Sequence, residues 1–150
     1  KTVYTFEPDW LNFQCLVHNA RSANIIKFQS GLGDKHEMVS IKGNPANCGA
    51  HHIDGEGSIP VLRIDDLNLS HCDLIQLDIE GFELHALKGA RETITRFRPV
   101  IVIEENGCSE RYGVLTGETG EWLRQFGYTQ NDRIHRDVIF TYQGSENAES

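Results

Sequence analysis

Leu74-Ile75-Gln76-Leu77-Asp78-Ile79-Glu80-Gly81-Phe82-Glu83 is the stretch whose reading decides the fold. Apart from Gln76 and Asp78 its first half is apolar, as suits a strand buried in a parallel sheet. Its far end carries Asp78, Glu80 and Glu83 around one glycine, Gly81. From Phe82 onward, Ala86, Ala90, Ile94 and Phe97 recur at helical spacing, which predicts one helix over residues 82–97. A strand that ends in acids and turns into a helix puts those acids at the rim of an open α/β sheet. That rim is where such sheets bind ligands.

Downstream, Val100-Ile101-Val102-Ile103 reads as a second wholly apolar strand, ending in Glu104-Glu105-Asn106. Two neighbouring parallel strands bring Asp78 and Glu104 to one rim. Gly89 in the predicted helix costs about 1 kcal/mol relative to alanine, so close packing against the sheet is expected there. Glu83, in the first helical turn, reads as a capping acid, as do Asp65 and Asp66 before a short turn through Leu69. His85 reads as a surface or packing residue.

Upstream, residues 2–6 form a strand ending at Glu7, with Pro8 suited to a first helical position. Trp10, Phe13, Val17 and Ala20 mark one apolar helix face, and residues 25–29 a further strand. Strand–helix–strand within thirty residues points to a right-handed parallel unit. Glu7 has two readings: a carboxylate that accepts both hydroxyls of a diol, or a charge that favours the helix dipole by up to about 1 kcal/mol. Ser30-Gly31-Leu32-Gly33-Asp34 is either a close approach to a flat ligand or an ordinary turn. It is not a dinucleotide fingerprint, because the third glycine position is His36 and residues 37–41 alternate like a strand.

Residues 42–58 are rich in Gly and Asn and read as a long substrate-facing loop. His51, His52, Asp54 and Glu56 are metal-ligand types, but no regular element fixes them, and no metal is assigned. After Gly107 a surface stretch runs to Gly117. A helix is expected from near Thr119, with Trp122, Leu123 and Phe126 as its stripe and Gly127 after its end. Tyr128-Thr129 and residues 137–142 close the sheet as a hairpin across Asn131-Asp132. Residues 1–142 make a single domain, and 143–150 a small, polar tail expected to be disordered.

Several of these motifs together resemble the FkbM-type S-adenosylmethionine-dependent methyltransferases. They are Asp78-Ile79-Glu80-Gly81-Phe82-Glu83, Leu87-Lys88-Gly89-Ala90, Arg98-Pro99-Val100-Ile101 with Glu104, Val3-Tyr4-Thr5-Phe6-Glu7-Pro8, and Leu62-Arg63-Ile64-Asp65-Asp66-Leu67. The resemblance runs from about Thr2 to Tyr142 in the family's order. It implies a Rossmann-like α/β sheet, mostly parallel with an antiparallel C-terminal hairpin. It implies S-adenosylmethionine as cofactor, with Glu7 on the ribose, Gly31, Leu32 and Asp34 at the adenine, and Asp78 near the reactive methyl. It implies O-methylation of a hydroxyl on a sugar or small metabolite, with Asp78, Glu80 and Glu104 as catalytic candidates. Where the family usually has lysine two residues before the central acid, this chain has Gln76. The family's first strand and glycine-rich turn are not found before Lys1. The expectation is a longer natural protein, a homodimer that fills the gap through exposed sheet edges, or a non-catalytic binding module.

Composition narrows the classes further. At 150 residues with 39% hydrophobic content the chain can bury a core. Fourteen basic residues against twenty-two acidic ones give a net charge of −8, which disfavours nucleic acid and anionic membranes as partners. No apolar run approaches the roughly 20 residues of a membrane span, and no basic-then-apolar leader is seen. Cys15, Cys48, Cys72 and Cys108 are scattered, which points to reduced thiols in a cytoplasmic protein, with Cys15 and Cys72 as small core residues. A carboxylate-pair hydrolase is the weaker enzyme reading, because no Gly-x-Ser-x-Gly nucleophile turn is present.

Overall fold

The computed structural model describes residues 1–44 and 47–144. In chain order, β1 (Val3–Phe6), α1 (Trp10–Asn19) and β2 (Ile25–Phe28) form the first unit. A second group follows: β3 (Gly31–Leu32), β4 (Glu37–Asn44), β5 (Asn47–Glu56) and β6 (Ile59–Leu62). A 3₁₀ turn at Ile64–Leu67 leads to β7 (Leu74–Leu77), α2 (Glu83–Lys88), α3 (Arg91–Phe97) and β8 (Val100–Glu104). The chain closes with a 3₁₀ turn at Cys108–Tyr112, α4 (Glu118–Arg124), β9 (Tyr128–Ile134) and β10 (Asp137–Tyr142). The fold is mixed α/β.

Hydrogen bonding divides the strands into three sheets, ordered β1-β2, β3-β6-β4-β5 and β7-β8-β10-β9. Pairing is parallel in β1–β2, β3–β6 and β7–β8, and antiparallel in β4–β5, β4–β6, β8–β10 and β9–β10. The antiparallel C-terminal hairpin is as expected, whereas the strands before it are less parallel than expected. The main reason is the stretch read as a long loop: β4 and β5 pair as an antiparallel hairpin, with Ile41 opposite Ile53 and Lys42 opposite His52. Register shifts absorb the glycines and asparagines that hid its alternation. The closing hairpin also differs. Asn131 and Asp132 lie within β9, and the turn falls at His135-Arg136, with His135 in the left-handed region at φ 58°.

The core sits on one face of the β7–β10 sheet. Ile75, Leu77, Ile101, Ile103, Val138 and Phe140 alternate inward and meet Ala86, Leu87, Ala90, Ile94 and Leu123 from the helices. β7 and β8 are not buried on both faces, as wholly apolar strands led one to expect, since Leu74 and Val100 are exposed. Cys15 is likewise exposed and not a core residue, while Cys72 is half-buried.

The predicted helix over residues 82–97 is broken at Gly89-Ala90. The Gly89 carbonyl accepts the Asp65 N–H at 3.0 Å, and Asp65 accepts the N–H groups of Glu92 and Thr93 at 3.1 and 2.9 Å. Asp65 thus caps α3, a helix distant in sequence, where capping of its own turn was the simpler expectation. Close packing at Gly89 is real: an added Cβ would sit 1.9 Å from the Gly33 carbonyl oxygen. No helix among the described residues is long and apolar enough to cross a membrane. Of the tail, residues 145–150 lie outside the described residues, as does the side chain of Cys48.

Candidate functional site

A cavity of about 370 Å³ opens where β1, β3 and β7 end, under the β4–β5 hairpin. Glu7, Gly31, Leu32, Asp78 and Glu80 all line it. Five residues singled out from sequence therefore meet in one place, although Glu7 and Asp78 belong to different sheets. Asp34 does not join them. It is exposed, and its carboxylate lies 3.8 Å from His85 Nδ1. Glu104 and Asn106, at the end of β8, stand beside the cavity and hold its acidic wall.

The acidic wall is built by the turn after β7. Asp78, Glu80 and Glu104 bring carboxylate oxygens within 4.8 Å of one another, a spacing that one cation could bridge. Like charges that close need a donor between them. The Asn106 amide supplies it, donating from Nδ2 to Glu80 Oε2 at 3.1 Å and to Glu104 Oε2 at 2.9 Å. Asn106 is itself held by the Cys108 N–H, which donates to its Oδ1 at 3.0 Å. Burial, then the Asp78 and Glu80 charges, pushes the Glu104 carboxyl above its usual range. Glu80 sits at φ 55°, a conformation that costs an L residue about 1–2 kcal/mol. Gly81 follows at φ 102°, packed so closely on Cys108 that a Cβ would lie 2.5 Å from its backbone. Only glycine fits there.

Glu83 has a different task. It is 4% exposed, and its Oε1 accepts the N–H groups of Ile79 and Gly81 at 3.1 and 3.2 Å. It holds the turn in shape, as its place in the first helical turn implied. His85 stacks on Phe82 with ring centroids 4.4 Å apart, a packing role.

On the opposite wall, Glu7 accepts the Asp9 N–H at 2.8 Å. Burial raises its carboxyl above the ordinary range, against the lowering effect of that hydrogen bond. Asp9, not Pro8, begins the helix: it is the N-cap of α1 and accepts the Asn12 N–H at 3.0 Å. Asp9 also lies 3.2 Å from His51 Nδ1. His51 packs directly on Gly43, where a Cβ would meet its ring at 2.2 Å.

Two contributors escaped the sequence reading, Asn106 and Tyr112, while His51 was singled out only as a metal-ligand type. Tyr112 lies in what was read as a surface stretch. It packs edge-on to Phe82 at 4.8 Å and donates its hydroxyl to the Ile53 carbonyl at 3.1 Å. The one available signal was its aromatic character between two glycines that interrupt any helix. His51, His52, Asp54 and Glu56 do not gather as ligands. Among the described residues, the group of three or more His, Cys, Asp or Glu side chains with that spacing is Asp78, Glu80 and Glu104.

Comparison with known proteins bears directly on this site. The family model described as Methyltransferase FkbM domain matches residues 1–129. The chain belongs to that family. This FkbM domain is 30% identical over 109 residues to Hexuronic acid methyltransferase AglP of Haloferax volcanii, a match covering 67% of this chain and 46% of that protein. The chain thus spans about half the length of that curated relative. It also superposes on the crystal structure of Methyltransferase FkbM from Methylobacillus flagellatus KT, with a TM-score of 0.61 and 23% identity, over 94% of this chain and 36% of that one. At that identity the likeness is one of fold.

Proposed function

We propose that this FkbM domain is part of an S-adenosylmethionine-dependent O-methyltransferase that acts on a hydroxyl of a sugar or other small metabolite. The observation that carries the reading is the meeting of Glu7, Gly31, Leu32, Asp78 and Glu80 around one cavity. The residues fit a nucleoside. Glu7 is a carboxylate with restricted solvation, which a pair of hydroxyl donors would stabilise in its charged form. Gly31, Leu32 and Phe82 offer backbone and apolar surface to a flat base. Asp34 is left out of the adenine set, because it does not line the cavity and its carboxylate lies beside His85.

When bound, the cofactor supplies an electrophilic methyl group on a sulfonium, so the protein's share of the work is positioning and exclusion of water. Asp78 and Glu80 border the end of the cavity nearest the acidic turn and are read as orienting groups there. Glu104 is read as their support through Asn106, because its oxygen is already engaged by that amide. The acceptor class is read from AglP's name: a hexuronic acid is a sugar, and a hydroxyl of a sugar ring is the methyl acceptor proposed here.

We further propose that residues 1–142 act as one domain whose sheet is Rossmann-like, completed by another parallel strand between β1 and β7. Support comes from their free edges: β1 pairs only with β2, and β7 only with β8, among the described residues. A second reading, a non-catalytic module that dimerises through those edges, is favoured by one observation: α1 has no buried residue. Sedimentation velocity separates the two, since the module reading requires a dimer.

Calorimetric titration with S-adenosylhomocysteine tests the main reading. Binding by this chain or by a longer form is expected. Glu7→Gln should weaken it by about 1.5–3 kcal/mol, the usual worth of a hydrogen bond to a charged group. No binding by either form, or an unchanged affinity in the variant, would refute the assignment of Glu7 to the ribose.

A further inference from the structure

A second cavity, about 560 Å³, lies on the far side of Phe82 between the β4–β5 hairpin and the Cys108–Tyr112 turn. His52, Ile53 and Phe82 line both cavities and so form a common wall. His52 is half-buried in that wall and makes no hydrogen bond, ion pair or ring contact among the described residues. Its neighbours differ: His51 faces Asp9, and His85 stacks on Phe82. An imidazole with no protein partner, in the wall shared by two cavities, is placed to reach a ligand in either.

We propose that the second cavity receives the methyl acceptor as a hydroxylated ring, and that His52 takes the proton from the hydroxyl to be methylated. This rests on the methyltransferase reading above and adds to it a place, a ligand chemistry and a base.

The lining suits such a ring. The Tyr112 ring stands edge-on to Phe82, fixed by the bond from its hydroxyl to the Ile53 carbonyl, and offers an apolar face. Around it are Glu37, Asp54, Glu56 and Arg111. Lys35 pairs with Glu37 at 3.1 Å and Lys42 with Asp54 at 3.7 Å, which leaves Glu56 and Arg111 without an ion partner among the described residues. Two acids paired with lysines, the Glu56 carboxylate and the Arg111 guanidinium beside Tyr112 give no strong net field. They provide carboxylate acceptors for hydroxyl groups and a guanidinium donor, a set matched to a polyol rather than a polyanion.

The acids of the first cavity serve less well as the base. Glu80 and Glu104 already accept from Asn106. Asp78 lines the first cavity and not the second. In the step proposed, the acceptor's proton passes to a ring nitrogen of His52. The oxygen keeps the electron pair that would form its bond to the methyl carbon. The methyl–sulfur bond of the bound cofactor would break with its pair going to sulfur as the neutral thioether of S-adenosylhomocysteine, and the imidazolium returns its proton to water through the second cavity. The charged and titratable groups lining the two cavities that His52 borders are Tyr4, Glu7, His51, Asp78 and Glu80 in the first, and Glu37, Asp54, Glu56, Arg111 and Tyr112 in the second. Lys42 lies directly across the hairpin.

The test is side-chain NMR of the whole chain, with labelled histidine and tyrosine, titrated with methyl β-D-glucopyranoside. The His52 and Tyr112 signals should move together, while those of exposed His18 and His135 stay put. His52→Gln should bind within about threefold of the parent, since an amide oxygen still accepts the hydroxyl, and His52→Phe about tenfold more weakly. Tyr112→Ala should bind about tenfold more weakly. No movement of His52 up to the solubility limit of the glycoside overturns the proposal, as does an affinity unchanged in His52→Phe. A parallel titration with S-adenosylhomocysteine keeps the two readings apart. Its failure beside intact glycoside binding at His52 would sink the cofactor and leave the sugar site standing.

Discussion

The β1–α1–β2 unit and the β7–β10 sheet carry similar sequence patterns and have opposite fates. Both read as apolar strands joined to amphipathic helices. In the second, Leu84, Leu87, Ile94, Ile101 and Phe140 are all nearly inaccessible. In the first, Trp10 is 58% and Leu11 71% exposed, and no residue of α1 is fully buried. Periodicity shows which face a helix offers, whereas burial needs a second surface to receive it. The β7–β10 sheet has that surface in α2, α3 and α4. The first unit has β1 and β2 bonded only to each other among the described residues.

The largest expected effect follows directly. Phe140→Ala should cost about 3–5 kcal/mol in urea unfolding, as deletions of fully buried aromatics do. Leu11→Ala should stay within about 0.5 kcal/mol, as exposed substitutions do. A large loss for Leu11→Ala in this chain would break the contrast and mean that α1 is covered in solution.

Gly89→Ala is next. Helix propensity alone favours alanine by about 1 kcal/mol, but the added methyl would lie 1.9 Å from the Gly33 carbonyl oxygen. A loss of about 1–3 kcal/mol is therefore expected, the usual cost of overpacking. A gain would mean that the Gly33 loop yields freely.

Asp65→Ala removes the carboxylate that joins the segment after β6 to the start of α3. A loss of about 1 kcal/mol is expected, with hydrogen exchange rising first at Glu92 and Thr93.

The smallest effect concerns Glu83. Burial raises its carboxyl above the ordinary glutamate range. The folded state therefore holds this proton more tightly than the unfolded state does. Stability from this group is full below the unfolded value and is lost as pH rises through the raised one. Glu83→Gln keeps an oxygen for the Ile79 and Gly81 N–H groups and removes the titration. It should flatten the decline in thermal midpoint between about pH 4 and 7. Unchanged pH dependence would mean that Glu83 stays charged in the fold.

Much of this was legible in the chain. The order of strands and helices around Asp78 followed from apolar periodicity, and the structural role of Glu83 from its position in the first turn, although it braces the preceding turn and caps no helix. The β4–β5 hairpin was not legible, because glycines, asparagines and bulges broke the two-residue alternation that marks a strand. The role of Asn106 was equally hidden, since an amide shared between two carboxylates depends on strands adjacent in space and distant in sequence. Asp34 shows the reverse error: proximity in sequence to Gly31 and Leu32 does not place it in their cavity.

By itself the sequence determined local matters: which segments extend, which coil, where acids gather at strand ends, and to which family the chain is akin. Those depend on short-range sterics and periodicity, which neighbouring residues encode. Tertiary structure alone decided that α2 and α3 part at Gly89, that Asp65 caps a helix far along the chain, and that His52 stands between two cavities. Each of these is a contact between residues remote in sequence, made only when the sheets have chosen their partners.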